Sequence, residues 1–167
     1  MTILLYLLLI GGLLIFMSQA SYAYGIAKVN SARDTFTSVR LLPLILPADM
    51  LHFIHHSLHA VCGLASVLAT ASILRPVSWL STQWICLVAI VILIADSIFY
   101  LISERKHNWR GIRDGILSQW KSQKSLSPDH DNEVSLYRIL NELTRKNLLR
   151  DAVHAALFVI LYVLSLA

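Results

Sequence analysis

Four of the seven histidines fall in one octet, His52, His55, His56 and His59, and Asp49 stands about one helical turn before them. On a helix advancing ~100° per residue, Asp49, His52, His56 and His59 occupy a common arc, with His55 on its edge. Imidazoles and carboxylates in that pattern suit three chemistries. A divalent metal accepts His52 and His56 from one helical face together with a carboxylate, Asp49 or Asp96. A b-type haem takes one imidazole from each of two helices, His56 or His59 from the first and His154 from the second. A proton or ion pathway uses His and Asp with no cofactor, because imidazole titrates near neutrality. A fourth reading binds nothing: a helix entering lipid only near Ile54 or Leu58 leaves His52 to His56 wetted at the interface.

These groups act together only if helices bring them to one depth, and the composition supplies such helices. Of 167 residues, 56% are hydrophobic and 14% charged, with a mean hydropathy of +0.63. A disordered tail, a collagen-like fibre and a disulfide scaffold are excluded, and so few charges cannot cover a water-soluble domain of this size. Charges punctuate the chain at intervals comparable with the ~20 apolar residues needed to cross a bilayer. The predicted spans are 3–25, 50–74, 80–103 and 148–167, with an amphipathic segment, 104–147, between the last two. The fourth is short: the 16 uncharged residues Ala152 to Ala167 reach ~24 Å at helical rise. It crosses if Leu148 and Leu149 join it or the bilayer thins. The expected fold is an all-α polytopic membrane protein, four transmembrane helices with a cytoplasmic amphipathic helical hairpin between helices 3 and 4.

Orientation follows from the basic residues. The first connection carries Lys28, Arg33 and Arg40, the second only Arg75, and the third, Glu104 to Arg150, ten. Odd connections share a side, so the positive-inside rule puts both termini outside and 104–147 in the cytoplasm, with a bacterial inner membrane as the expected location. Ser21-Tyr22-Ala23 has the small residues of a cleavage site. No basic n-region precedes the apolar stretch, however, and the first segment is expected to stay as a span.

Within lipid, helices associate through small residues. Cys62, Ser66 and Thr70, with Ala65 and Ala69, form such stripes in the second span, and Gly11 and Gly12 are candidates in the first. Cys62 and Cys86 read as small apolar packing residues without a disulfide. Pro43 and Pro47 mark Leu41 to Ala48 as a kinked or interfacial lead-in. In the third connection, Trp109, Ile112, Ile116 and Trp120 form one stripe and Leu136, Ile139, Leu140 and Leu143 another, separated by a polar turn, Ser122 to Asn132, containing Pro128. The stripes suit packing on the bundle, lying on the inner leaflet, or docking a partner protein.

The segment His52-Phe53-Ile54-His55-His56 resembles the HxxHH histidine box of membrane fatty-acid desaturases and hydroxylases. The resemblance covers those residues alone. That family holds two irons with several separated boxes, whereas His107, His130 and His154 here stand singly, so membership is excluded. The chain also lacks a Gly-rich phosphate loop, a GxSxG elbow, an HExxH helix and a thiol-exchange cysteine pair. The expected function is therefore a small inner-membrane interaction or regulatory protein without catalytic activity, an accessory subunit or an exclusion or immunity-type factor. Its expected partners are the bilayer and a membrane protein or a second copy. The alternatives are an electron-transfer subunit binding haem b and a small ion or proton conductor using Asp96 and the histidines. Nucleic acid is not expected, because the long connection mixes ten basic with six acidic residues and offers no recognised module.

Overall fold

The computed structural model describes residues 2–31, 42–76, 81–122 and 130–166, with side chains except at 26–31, 42–46, 130–132 and 145–147. They form five helices: α1 Thr2–Ser31, α2 Leu42–Leu74, α3 Thr82–His107, α4 Trp109–Ser122 and α5 His130–Leu164. No strand occurs among the described residues. Four stretches, Thr2–Gly25, Pro47–Leu74, Thr82–His107 and Glu133–Leu164, are long and apolar enough to cross a membrane. Arg33, Arg40 and Pro128 lie outside the described residues.

Helix α3 shows how sequence spacing builds the bundle. Its buried residues are Thr82, Cys86, Ala89, Leu93, Asp96 and Tyr100, spaced alternately by four and three, which keeps a single seam turned towards neighbouring helices. Val91, Ile94, Ile98 and Ile102 on its other faces are exposed, as a lipid solvent requires. The helix ends at Asn108, whose backbone is left-handed at φ 53° and whose N–H bonds to the Glu104 carbonyl. Asn108 then caps α4, its side-chain oxygen accepting the Gly111 N–H at 3.2 Å.

Two features differ from the sequence expectation. The lead-in around Pro43 and Pro47 is helical from Leu42 and continuous with α2, which carries Pro47 inside it. Pro43 falls in the first turn, where a missing N–H costs nothing, whereas Pro47 leaves the Pro43 carbonyl without its helical partner. The stripe Leu136 to Leu143 and the span from residue 148 are also one continuous helix, α5.

Small residues set the closest approach. A Cβ on Gly63 would lie 2.6 Å from the Phe16 backbone nitrogen, and one on Gly12 would overlap Ser66 Oγ. Gly11 faces open space. Gly63→Val therefore pushes α1 off α2 and destabilises the fold by ~1–3 kcal/mol, measured by thermal unfolding in detergent. Gly11→Ala leaves the unfolding temperature unchanged.

The core is two apolar clusters stacked along the bundle. At the α4 end, Ala48, Leu51, Tyr100, Trp109, Leu136, Leu140 and Leu143 pack together, with Ile112, Ile116 and Ile139 against them. Towards the opposite end, Cys62, Ala69, Cys86, Ala89, Leu93, Phe158 and Leu161 form the second, and both cysteines are free. Helix α4 runs beside the first half of α5, tied by Arg113 to Thr144 at 2.6 Å and by Trp120 Nε1 to Glu133 at 3.0 Å. The two amphipathic stripes therefore face the protein's own core, and Trp120, half-buried, stacks obliquely on Tyr137.

Candidate metal centre

Between the two clusters lies a polar layer. Along α2, Leu51 belongs to one cluster and Cys62 to the other, with the histidines between. On α3, Asp96 stands between Leu93 and Tyr100, and on α5, Asp151 and His154 stand between Leu143 and Phe158. Three helices thus deliver ionisable side chains to one buried slice.

His55, His59, Asp96 and Asp151 each bring one ligand atom to within 4.8 Å of the other three, and all four residues are buried. His55 Nδ1 lies 2.5 Å from Asp96 Oδ2. His59 Nε2 lies 2.8 Å from Asp151 Oδ1 and 3.8 Å from Asp96 Oδ2. Bonds of ~2.0–2.2 Å in tetrahedral geometry hold ligand atoms about 3.3–3.6 Å apart, so an ion would part the pairs at 2.5 and 2.8 Å and draw the widest, within 4.8 Å, closer by about an ångström. Asp96 Oδ1 is buried without a hydrogen-bond partner, leaving that carboxylate short of donors in a site where each unmet polar atom is costly.

Further contacts orient these groups. His59 Nδ1 is in hydrogen-bond contact with His154 Nδ1 at 2.5 Å, leaving Nε2 turned to the carboxylates. Ser97 Oγ donates to Asp151 Oδ2 at 2.5 Å. Arg150 Nη1 donates to His55 Nε2 at 3.2 Å and also approaches Glu142, at 3.6 Å through Nη2. Such outer contacts tune metal affinity by ~10–100-fold. Ser97→Ala is expected to weaken divalent-ion binding within that range while leaving the protein folded, as read by competition with a chelating dye.

The histidine arc divides in two. At ~100° per residue its members run in the angular order His55, His59, His52, His56 over about 100°. The first two face α3 and α5. His56 faces α1, where its Nδ1 donates to Gln19 Oε1 at 2.6 Å, and its Nε2 accepts from His52 Nε2 at 2.9 Å. Tyr22 stacks on His56 with ring centroids 5.0 Å apart.

Of the residues singled out from sequence for a metal, the structure brings Asp96 to the centre, sets His56 against α1 and bonds His52 to His56. Asp49 is buried near them and is not a member of the four-residue group. Of the haem candidates, His59 and His154 meet directly, while His56 faces Gln19. His55, an edge residue by arc, is central, Ser97 bonds to Asp151, and Asp151, Gln19 and Arg150 were not expected there. Asp151 precedes His154 by three residues, a helical spacing that puts both on one face.

Neither protein-family models, curated proteins nor solved structures match this chain.

Proposed function

We propose that the protein is a membrane-embedded metalloprotein that binds one divalent transition ion through His55, His59, Asp96 and Asp151. The observation that carries this reading is the convergence of those four buried ligand atoms within 4.8 Å. Charge supports it. Asp96 and Asp151 bring two carboxylates to one buried slice, and a divalent cation matches such a pair. Ligation through His55 Nδ1 would put its proton on Nε2, in place of the contact Arg150 makes there. The donor set, two imidazoles and two carboxylates without thiolate, suits zinc, manganese or iron.

The other readings find less support. A haem needs its porphyrin between the axial imidazoles, but His59 and His154 are in hydrogen-bond contact. An axial ion path is opposed by apolar clusters on both sides of the layer. The interaction role expected of the stripes loses its surface, because Trp109, Leu136, Leu140 and Leu143 are buried and Ile112, Ile116 and Ile139 pack against them. On charge asymmetry, the α4 end lies in the cytoplasm and both termini outside, in a bacterial inner membrane.

Elemental analysis of the full chain purified in detergent tests the reading. One zinc, manganese or iron per chain is expected, falling to background in the Asp96→Asn, His59→Ala double variant. A folded wild type that neither carries nor takes up any of these ions overturns it.

A further inference from the structure

His52 and His56, one helical turn apart on α2, stand outside the four-residue centre. Their Nε2 atoms face each other across 2.9 Å, with the rings edge to face at 72°. The two imidazoles are held very differently. His56 is buried, its Nδ1 donates to Gln19 Oε1 at 2.6 Å, and Tyr22 stacks on its ring. The Gln19 bond fixes the tautomer, so Nε2 of neutral His56 carries a lone pair. His52 is 8% exposed, and its Nδ1 is buried with no hydrogen-bond partner. Either neutral tautomer of His52 leaves a nitrogen unmet. With Nε2–H turned to His56, Nδ1 is a bare buried acceptor. With the proton on Nδ1, two lone pairs oppose each other, and a cation between the two Nε2 atoms turns that opposition into ligation.

We infer that His52 and His56 form a second ion site, separate from the four-residue centre, which holds one copper(I) ion between their Nε2 atoms. The donor chemistry selects the ion. Imidazole suits copper and zinc, whereas the hard cations magnesium and calcium take oxygen. Among the described residues no carboxylate or thiol joins this pair as a third donor within 4.8 Å, so the ligands bring no charge. The cost of burying an ion rises with the square of its charge, about fourfold from a monovalent to a divalent ion. Neutral donors at a buried position therefore favour the monovalent ion, and copper(I) is satisfied by two nitrogens in line. Metal–imidazole bonds of ~2.0 Å set such nitrogens about 4 Å apart. The opening of about an ångström from 2.9 Å falls on His52, which no bond holds at Nδ1, while Gln19 and Tyr22 keep His56 in place. The site stands on this geometry and does not depend on the zinc, manganese or iron reading of the centre.

The test titrates the full chain in detergent, under argon and after exposure to excess zinc, with tetrakis(acetonitrile)copper(I) against bicinchoninate, and reads the copper edge by X-ray absorption. One copper per chain is expected, with two imidazole nitrogens and no sulfur. His52→Phe and His52→Gln, one apolar and one polar, each lower copper(I) affinity by more than the ~100-fold limit for outer contacts and, without metal, melt close to the wild type. Gln19→Leu, which frees the His56 ring, lowers it ~10–100-fold. His55→Ala retains it. A folded wild type that takes up no copper(I), copper bound through the sulfur of Cys62 or Cys86, or uptake undiminished in a folded His52 variant overturns the second site and leaves the four-residue reading as it stands. A wild type that refuses zinc yet binds copper(I) through His52 and His56 upholds this site and counts against the other.

Discussion

Asp151→Asn lowers zinc affinity by well over the ~10–100-fold that outer-contact changes cost, and chelator competition on the detergent-purified chain measures the loss. The reason is that Asp151 closes the group from α5. Its Oδ1 lies 2.8 Å from His59 Nε2 and its Oδ2 is fixed by Ser97 at 2.5 Å, so the carboxylate is held for a bond it cannot make as an amide. Asparagine keeps the volume and the serine contact, which separates lost ligation from misfolding. Stability reports the same event. Zinc at 100 times its Kd adds ~2.7 kcal/mol to the wild type by mass action. The variant gains almost nothing from the same zinc concentration, and without metal it melts close to the metal-free wild type. Equal zinc-dependent stabilisation of both proteins would remove Asp151 from the site.

Trp109→Ala has the largest expected effect on folding, a loss of ~3–5 kcal/mol, or about 10 °C in unfolding temperature for a chain of this size. Trp109 is fully buried among residues of α2, α3 and α5, its indole N–H donates to Ser103 at 3.0 Å, and its ring stacks on His107. Truncation empties the centre of the cluster that closes the polar layer on the α4 side. Trp109→Phe recovers more than half of the loss, because most of the burial returns and only one hydrogen bond is missing. Trp120→Ala, at a half-buried ring, costs less than half as much.

The four long apolar helices were legible because charges are sparse over long stretches, and Asp96, the one charge within its stretch, stood out for that reason. The histidine octet was legible for the same reason. Which histidines meet which helix was not. His55 and His56 differ by ~100° on one helix, and only the positions of α1, α3 and α5 around α2 decide that His55 turns to Asp96 and His56 to Gln19. Asp151 was obscured by its neighbours, since it follows Arg150 at the end of a charged stretch and reads as part of the water-facing connection. Its spacing from His154 carried the available signal. The stripes of α4 and α5 were visible as helical faces, but periodicity shows that a face is apolar without showing what covers it. Here each helix covers the other, on Trp109.

X-ray absorption at the edge of the bound ion in the full-length protein examines the metal centre itself. The expected first shell contains nitrogen and oxygen neighbours at ~2.0–2.2 Å, with imidazole outer-shell scattering from two histidines and no sulfur. It loses one imidazole in His55→Ala and keeps both in His56→Ala. A shell containing sulfur at ~2.3 Å, or one that changes with His56 and is indifferent to His55, would contradict the assignment of the centre to His55, His59, Asp96 and Asp151.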